Sequence, residues 1–473
     1  MSPPRRGRAD DAAAQCHHNG CLSVTSRSRG CAKKERSWSA ALEDDVLGAI
    51  LASGLLTSAD AVRCAATCRW WRRVVATRSD YISRGLPPLG RYMPHLAVGV
   101  FTAPVGTSSR RMPQFIPTTA GARRLGDLRR RMSLVDGIGH DVALLDHAHP
   151  VASRNGRLVL QLHRPRTNGL ALCVCNPMTG ELAMVPPLPT AGNNNKKGAC
   201  FPYGCALLTA DDFDQAPLQS STFFRLILLY NNNHTTVLRC YSSSDGSWGQ
   251  EVNITAVATI SRQKMRQIGP AVVRRGASAF WALDHGALGV RVRLHLEAMD
   301  VHLLPYCSSP DRWPEGCLLG VSPDNRLFMV TFVMWRGFLS GSIAYFDIDG
   351  DDISTGRENS NPSADVLYPM FDMKMRRWDD MAWLATLNLR WFCEKSGLVL
   401  FTLGDSSGYP GTFALDVRSP AVEKVLNADG YLVSSRNVHL DSPAVVKVAD
   451  GHSWSCFVGY EMDMATYLST LAA

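Results

Sequence analysis

Between residues 41 and 76 the apolar positions follow a helical period. Leu42, Val46, Leu47, Ile50, Leu51 and Leu55 recur at spacings of one, three and four, which a helix gathers onto one broad stripe. Gly54 breaks that stripe. Thr57, with Asp60 three residues on, has the form of a capping box, in which hydroxyl and carboxylate each satisfy an orphan amide, so a second helix is predicted to start there. Val62, Ala65, Ala66 and Cys68 continue its apolar side, and the stretch ends in Cys68-Arg69-Trp70-Trp71-Arg72-Arg73-Val74-Val75. Two large aromatics exceed what so short a module can hide, so another surface is expected to cover part of it.

From about residue 92 the pattern changes to short runs of β type. Runs at 157–162, 170–175, 223–230, 236–241, 279–283, 290–296, 326–333, 343–348, 397–403 and 412–417 read as strands. Turn residues punctuate them, as in Asn155-Gly156, Asn176-Pro177-Met178-Thr179-Gly180, Asp245-Gly246, Pro323-Asp324-Asn325 and Gly408-Tyr409-Pro410-Gly411. Many short strands with few helical stripes predict an antiparallel all-β domain after the helical module, an α+β multidomain chain. Four times an apolar strand is followed by a polar turn and a weaker strand, at 172–185, 238–252, 290–304 and 413–426. The spacing, roughly fifty residues or a multiple, is near the blade length of a β-propeller, and about six to eight blades would use the length.

Composition divides the chain further. Residues 1–37 are rich in Ser, Arg and Gly and read as a disordered basic arm, 38–84 as the helical module, 85–135 as a linker with a basic helix over 122–132, and 136–473 as the propeller-like domain. A net charge of +8 over 473 residues is modest and argues for no nucleic-acid or membrane partner. The fourteen cysteines are scattered, and Cys173, Cys175, Cys205, Cys317, Cys393 and Cys456 sit in apolar runs where a thiol packs as a small hydrophobe. Reduced thiols are therefore expected, with a cytoplasmic or nuclear location. The start of the chain has no apolar signal core, and the longest apolar runs are too short to span a bilayer.

Candidate chemistry does not assemble. Cys16, His17, His18, Cys21 and Cys31 lack the second ligand pair of a structural zinc site. Asp347, Asp349, Asp351 and Glu358 mimic calcium-loop spacing, but Asp352 stands where Gly is required, so an acidic hairpin loop is expected. Arg110, Arg111, Arg123, Arg124, Arg129, Arg130 and Arg131 have no interleaved aromatics and read as a solvated linker. Hydrolase elbow, phosphate-loop and His-Glu-x-x-His patterns are missing from the chain. No catalytic residue, metal or cofactor is predicted. Trp335, Trp378, Trp383 and Trp391 are expected to pack inside the sheets.

The helical stretch resembles an F-box. Leu42 matches its opening, Asp44 and Asp45 its acidic pair, Val46, Leu47, Ile50 and Leu51 its first helix, and Cys68, Arg69 and Trp71 its ending. Glu43 replaces the usual Pro, and Thr67 the usual Val. The later half resembles the F-box-associated β-propeller domains of plants, through Ser153-Arg154-Asn155-Gly156-Arg157-Leu158, Cys175-Asn176-Pro177-Met178-Thr179-Gly180-Glu181, Ala279-Phe280-Trp281-Ala282-Leu283 and Phe413-Ala414-Leu415-Asp416-Val417. The resemblance implies a substrate-recognition subunit of a Skp-cullin-F-box ubiquitin ligase without catalysis of its own. Leu42, Val46, Leu47, Ile50, Leu51, Val62, Cys68 and Trp71 would bind the Skp-type adaptor, and the β domain a protein substrate, with the polar insertions at 190–197 and 349–363 as candidate contact loops. The alternative is a ligand- or glycan-binding propeller whose F-box is vestigial.

Overall fold

The computed structural model describes residues 44–87, 89–102, 113–118, 121–122, 145, 148–162, 169–189, 203–213, 222–232, 235–254, 259–283, 286–292, 299–305, 317–335, 338–346, 368–374, 386–404, 411–418, 422–427 and 457–472. The chain divides into two units, Met1–Glu43 and Asp44–Ala473, and every element below belongs to the second. The basic arm, Leu42 and Glu43 lie outside the described residues.

Four short helices open the second unit: α1 (Asp44–Leu51), α2 (Ser58–Thr67), α3 (Arg69–Thr77) and α4 (Ser79–Gly85). Two more follow later, α5 (Arg262–Gln267) and α6 (Met464–Ser469). The predicted capping box is present. Asp60 N–H donates to Thr57 Oγ1 at 3.3 Å while Thr57 N–H donates to Asp60 Oδ2 at 3.0 Å. Cys68, extended at φ −156°, ends α2 and starts α3, its sulfur accepting from Trp71 N–H at 3.5 Å.

The described residues are otherwise mostly antiparallel sheet. A short pair comes first, β1 (Ala97–Thr102) and β2 (Gln114–Pro117). The first four-stranded meander contains β3 (His149–Arg154), β4 (Arg157–Leu162), β5 (Gly169–Cys175) and β6 (Leu182–Pro189). The second runs β7 (Tyr203–Thr209), β8 (Phe224–Asn232) and β9 (Thr235–Ser242), with β10 (Ser247–Trp248) and β11 (Val252–Asn253) both pairing β9. The third holds β12 (Val272–Arg274), β13 (Ser278–Leu283), β14 (Gly286–Val292) and β15 (Met299–Pro305). The fourth is β16 (Cys317–Val321), β17 (Leu327–Trp335), β18 (Phe338–Tyr345) and β19 (Tyr368–Lys374). The fifth is β20 (Thr386–Cys393), β21 (Leu398–Gly404), β22 (Gly411–Asp416) and β23 (Val422–Asn427). A sixth sheet joins the first strands of the β part to its last, because β24 (Phe457–Glu461) pairs antiparallel with β1, which pairs β2.

The first strands of these sheets touch in a cycle: β3 meets β7, β7 meets β12, β12 meets β16, β16 meets β20, β20 meets β24, and β24 returns to β3. Neighbouring sheets share hydrophobic cores. Leu172, Val174, Leu226 and Leu228 lie in one cluster between the first two meanders, and Phe328, Phe392, Val399 and Phe401 in another between the fourth and fifth. Such face-to-face burial stabilises by about 25 cal/mol per Å² of apolar surface removed from water.

The boundaries read from the sequence change here. Strands β1 and β2 fall within the span taken as linker, so the β part begins before residue 136. The physical reason is that β1, Ala-Val-Gly-Val-Phe-Thr, has no alternation and its apolar run is broken by Gly99, so nothing in the pattern marks it as a strand. The helices are also no separate body. One cluster joins Leu47, Leu51, Val74 and Ile82 to Leu96, Val100, Tyr460 and Leu468. Of the basic helix expected over 122–132, only Ala122 is described, and it is helical.

Candidate functional site

The stripe of α1 divides by exposure. Leu47 and Leu51 are buried, whereas Val46 and Ile50, four residues apart and so on one face, are each 48% exposed. Leu55, in the turn that follows, is 88% exposed. Among the described residues the exposed large apolar side chains are these three, Tyr81 on α4 and Met184 on β6. The helices therefore carry most of the exposed bulky apolar surface described.

The acidic pair that precedes this face has an internal use. Trp70 Nε1–H donates to Asp44 Oδ1 at 2.7 Å, Arg73 approaches Asp44 Oδ2 at 3.5 Å, and Arg78 pairs with Asp45. These contacts tie α1 to α3 and to the α3–α4 junction. The ion pairs are largely exposed, so each stabilises by no more than about 1 kcal/mol. Trp70 and Trp71 meet edge to face with centroids 6.5 Å apart. Both are half-buried against the shared core, as is Val62.

Of the residues read as adaptor contacts, Val46, Ile50 and Cys68 thus face outward, and Val62 and Trp71 are half-buried. Leu47 and Leu51 are core residues. Their part in any docking is to hold α1 in place, because a side chain already sealed in the core has little surface left to offer. Leu42 lies outside the described residues.

A second constellation was not read from the sequence. Arg154, the last residue of β3, points both Nε and Nη2 at Asp212, at 3.0 and 2.6 Å, pairs with Glu394 through Nη1, and donates to the Val273 carbonyl at 3.2 Å. It thereby touches the second and fifth meanders at turns and the third within β12, bridging three sheets from a fourth. Asp212 is 2% exposed and also accepts from Thr209 N–H at 2.7 Å, while its carbonyl accepts from Gly276 and Ala277 N–H at 3.0 and 2.8 Å. Glu394 takes Val273 N–H at 3.0 Å.

Glu461 completes this knot at the closing sheet. Its carboxylate accepts from Lys395 and Ser396 N–H at 3.2 and 2.7 Å, and its carbonyl from Gly156 N–H at 2.9 Å. Burial nevertheless raises the Glu461 carboxyl above its ordinary range. Four of the turns at this end use a left-handed residue. Asn155 and Gly156 have φ of 46° and 74°, a two-residue hairpin of the primed kind, and Ala277 and Asn325 repeat the positive φ at 55° and 69°. A Cβ on Gly156 would meet Asp463 Oδ2 at 2.3 Å. The readable signal was the positional likeness of Arg154-Asn155-Gly156 and Arg275-Gly276-Ala277, both between the first and second strands of a sheet.

The Cys/His group of the arm, the acidic loop at 347–358, the insertions at 190–197 and 349–363, Trp378 and Trp383 lie outside the described residues. Trp391 is buried in the shared core, as inner packing requires. No helix among the described residues is long and apolar enough to cross a membrane.

No family model matches this chain, and no curated protein does. Among solved structures, TolB from Acinetobacter baumannii is similar over 57% of this chain and 52% of its own, at 9% identity and a TM-score of 0.31. The Dos1 propeller is similar over 60% and 61%, at 12% identity and a TM-score of 0.29. A puromycin hydrolase is similar over 72% and 49%, at 14% identity and a TM-score of 0.32. This chain spans about half the length of TolB and of the hydrolase. The fold described above rests on its own sheet order and contacts.

Proposed function

We propose that this chain is the substrate-recognition subunit of a Skp-cullin-F-box ubiquitin ligase. In this reading α1, α2 and α3 dock the Skp-type adaptor, and the sheets form a six-bladed β-propeller that holds a protein target. Five meanders would each be one blade, and β24, β1 and β2 the sixth, which closes the ring with strands from both ends of the β part. The observation that carries the docking half is the outward Val46–Ile50 face, continued by Leu55, on helices whose other side is sealed into the core. Water-exposed bulky apolar side chains grouped on one small surface gain free energy when a partner covers them.

The chain would perform no bond chemistry. Its contribution is effective concentration: a rigid receptor keeps a target lysine close to the conjugating enzyme, so that transfer follows a local encounter. A continuous core from helices to sheets supplies the rigidity, since relative motion of the two parts would break buried contacts. Co-purification of the full chain with a Skp-type adaptor tests this. Ile50→Asp and Val46→Asp are expected to abolish capture while leaving the thermal midpoint unchanged, because both positions are half-exposed. The alternative, a ligand- or glycan-binding propeller with a vestigial F-box, predicts no capture by the wild-type chain.

A further inference from the structure

At the end of the ring where first strands turn into second strands, a cavity of about 810 Å³ lies between those turns and helices α4 and α6. That volume falls within the roughly 300–1,000 Å³ of small-molecule sites. The lining is rich in charge, and most of it is already used. Arg84 pairs with Asp80, Lys395 reaches Asp211 at 3.5 Å, Arg154 is held by Asp212 and Glu394, and the Asp463 carboxylate caps α6 through Thr466.

Apart from Arg91, which is exposed, Arg275 is the exception among the described residues. It is half-buried in the lining, yet among the described residues its guanidinium has no hydrogen bond and no ion pair. Its backbone, by contrast, is pinned. Arg275 N–H donates to Asn325 Oδ1 at 3.0 Å, and the next two N–H groups donate to the Asp212 carbonyl. Burial, and then the like charge of Arg154, push its guanidinium below the ordinary arginine range, and the more distant pull of the Asp212 and Asp211 carboxylates offsets only part of that. A partly desolvated cation beside another cation is costly unless an anion joins it.

We propose that this cavity binds a small molecule through an anionic group, a carboxylate or a phosphate, seated on the Arg275 guanidinium. The planar fork of arginine matches the two oxygens of either group and donates two parallel hydrogen bonds. Asp211, Asp212, Glu394 and Asp463 leave no room for a second unpaired anion, which favours a ligand with one charged end and a neutral body in the remaining volume. The inference stands apart from adaptor docking. It uses residues of the ring, and the adaptor-facing variants leave them untouched.

The test is calorimetry and thermal melting of the full chain with inorganic phosphate and, separately, with acetate, each against sodium chloride of equal ionic strength. Wild type is expected to bind at least one of the two anions saturably by about 10 mM, the concentration regime in which a weak single-group contact shifts the melting midpoint. Preference between the arms assigns the phosphate or the carboxylate class. Arg275→Gln should weaken that binding at least tenfold and leave the unliganded midpoint unchanged, since among the described residues the side chain it removes makes no hydrogen bond or ion pair. Arg275→Lys, which keeps the charge and the fold but loses the fork, should fall between. Binding that does not exceed the chloride control, or that is equal in wild type and Arg275→Gln, overturns the proposal.

Discussion

Removing the Asp212 carboxylate should cost more than any other single truncation at the ring's charged end. Asp212→Ala takes away both contacts of the Arg154 fork and the acceptor of Thr209 N–H, all in a site where Asp212 is 2% and Arg154 13% exposed. Breaking a buried pair from one side costs about 3–5 kcal/mol, because the surviving charge stays buried. Glu394 and the Val273 carbonyl still hold Arg154, so the lower part of that range applies. With an unfolding entropy of about 1 kcal/mol/K for a chain of 473 residues, the melting midpoint should fall by about 3–4 °C. Circular dichroism melts of Asp212→Ala, Arg154→Met and the double variant measure this. The double variant should lose less than the sum of the two singles by more than about 1 kcal/mol, the signature of coupled neighbours. A midpoint change below about 1 °C in Asp212→Ala, or strict additivity, would refute the view that this knot holds the turns together.

Four further outcomes follow from other parts of the molecule. Burial pushes the Cys205 and Cys240 thiols up to about 12, so peptide mass spectrometry after brief maleimide treatment at about pH 8 should find both unlabelled and the exposed Cys68 modified. Thr57→Ala should destabilise by about 1 kcal/mol in urea titration through loss of the α2 cap. The hydrogen bonds from the Thr57 side chain and backbone hold the Asp60 carboxyl below its ordinary 3.8, so its contribution is present above that value and lost as pH falls through the folded one. The difference between wild type and Asp60→Asn should accordingly shrink below about pH 4. Deleting residues 457–473 removes β24 and α6 with buried Val458, Tyr460, Met462, Tyr467 and Leu468, and should abolish cooperative melting; a sharp transition near the wild-type midpoint would contradict closure by that strand.

The sequence disclosed the middle strands of the five meanders and concealed their margins. The ten runs read as strands are the second and third strands of the five meanders, from β4 and β5 to β21 and β22. These are flanked on both sides and carry unbroken apolar residues. The fourth strands of four meanders were read only as the weaker strand of the recurrence, and β19 not at all, because edge strands carry proline and polar residues, as in Leu-Ala-Met-Val-Pro-Pro-Leu-Pro of β6 and Tyr-Pro-Met-Phe-Asp-Met-Lys of β19. The first strands escaped for another reason: β12 has three residues, and β16 and β7 contain Gly320 and Gly204. The recurrence of apolar strand, turn and weaker strand marks the third-to-fourth strand step, with Leu172 facing Val185 and Leu238 facing Val252.

At the helices, periodicity located the stripe and the capping box but not the division of the stripe. Val46 and Leu47 are equally apolar, and only the packing of α3 and α4 against α1 decides which is covered. Arg154, Asp212 and Glu394 were illegible for a simpler reason, since residues 58 and 240 positions apart become partners only when the ring closes.

The most direct test of the central claim is the affinity of the full chain for a purified Skp-type adaptor, measured by calorimetry for wild type and Ile50→Asp. The account predicts saturable binding by wild type. It predicts at least a tenfold loss in the variant, since a carboxylate buried at an apolar contact costs well over 1.4 kcal/mol. Wild type that fails to bind, or an Ile50→Asp chain that binds as tightly as wild type, would contradict it.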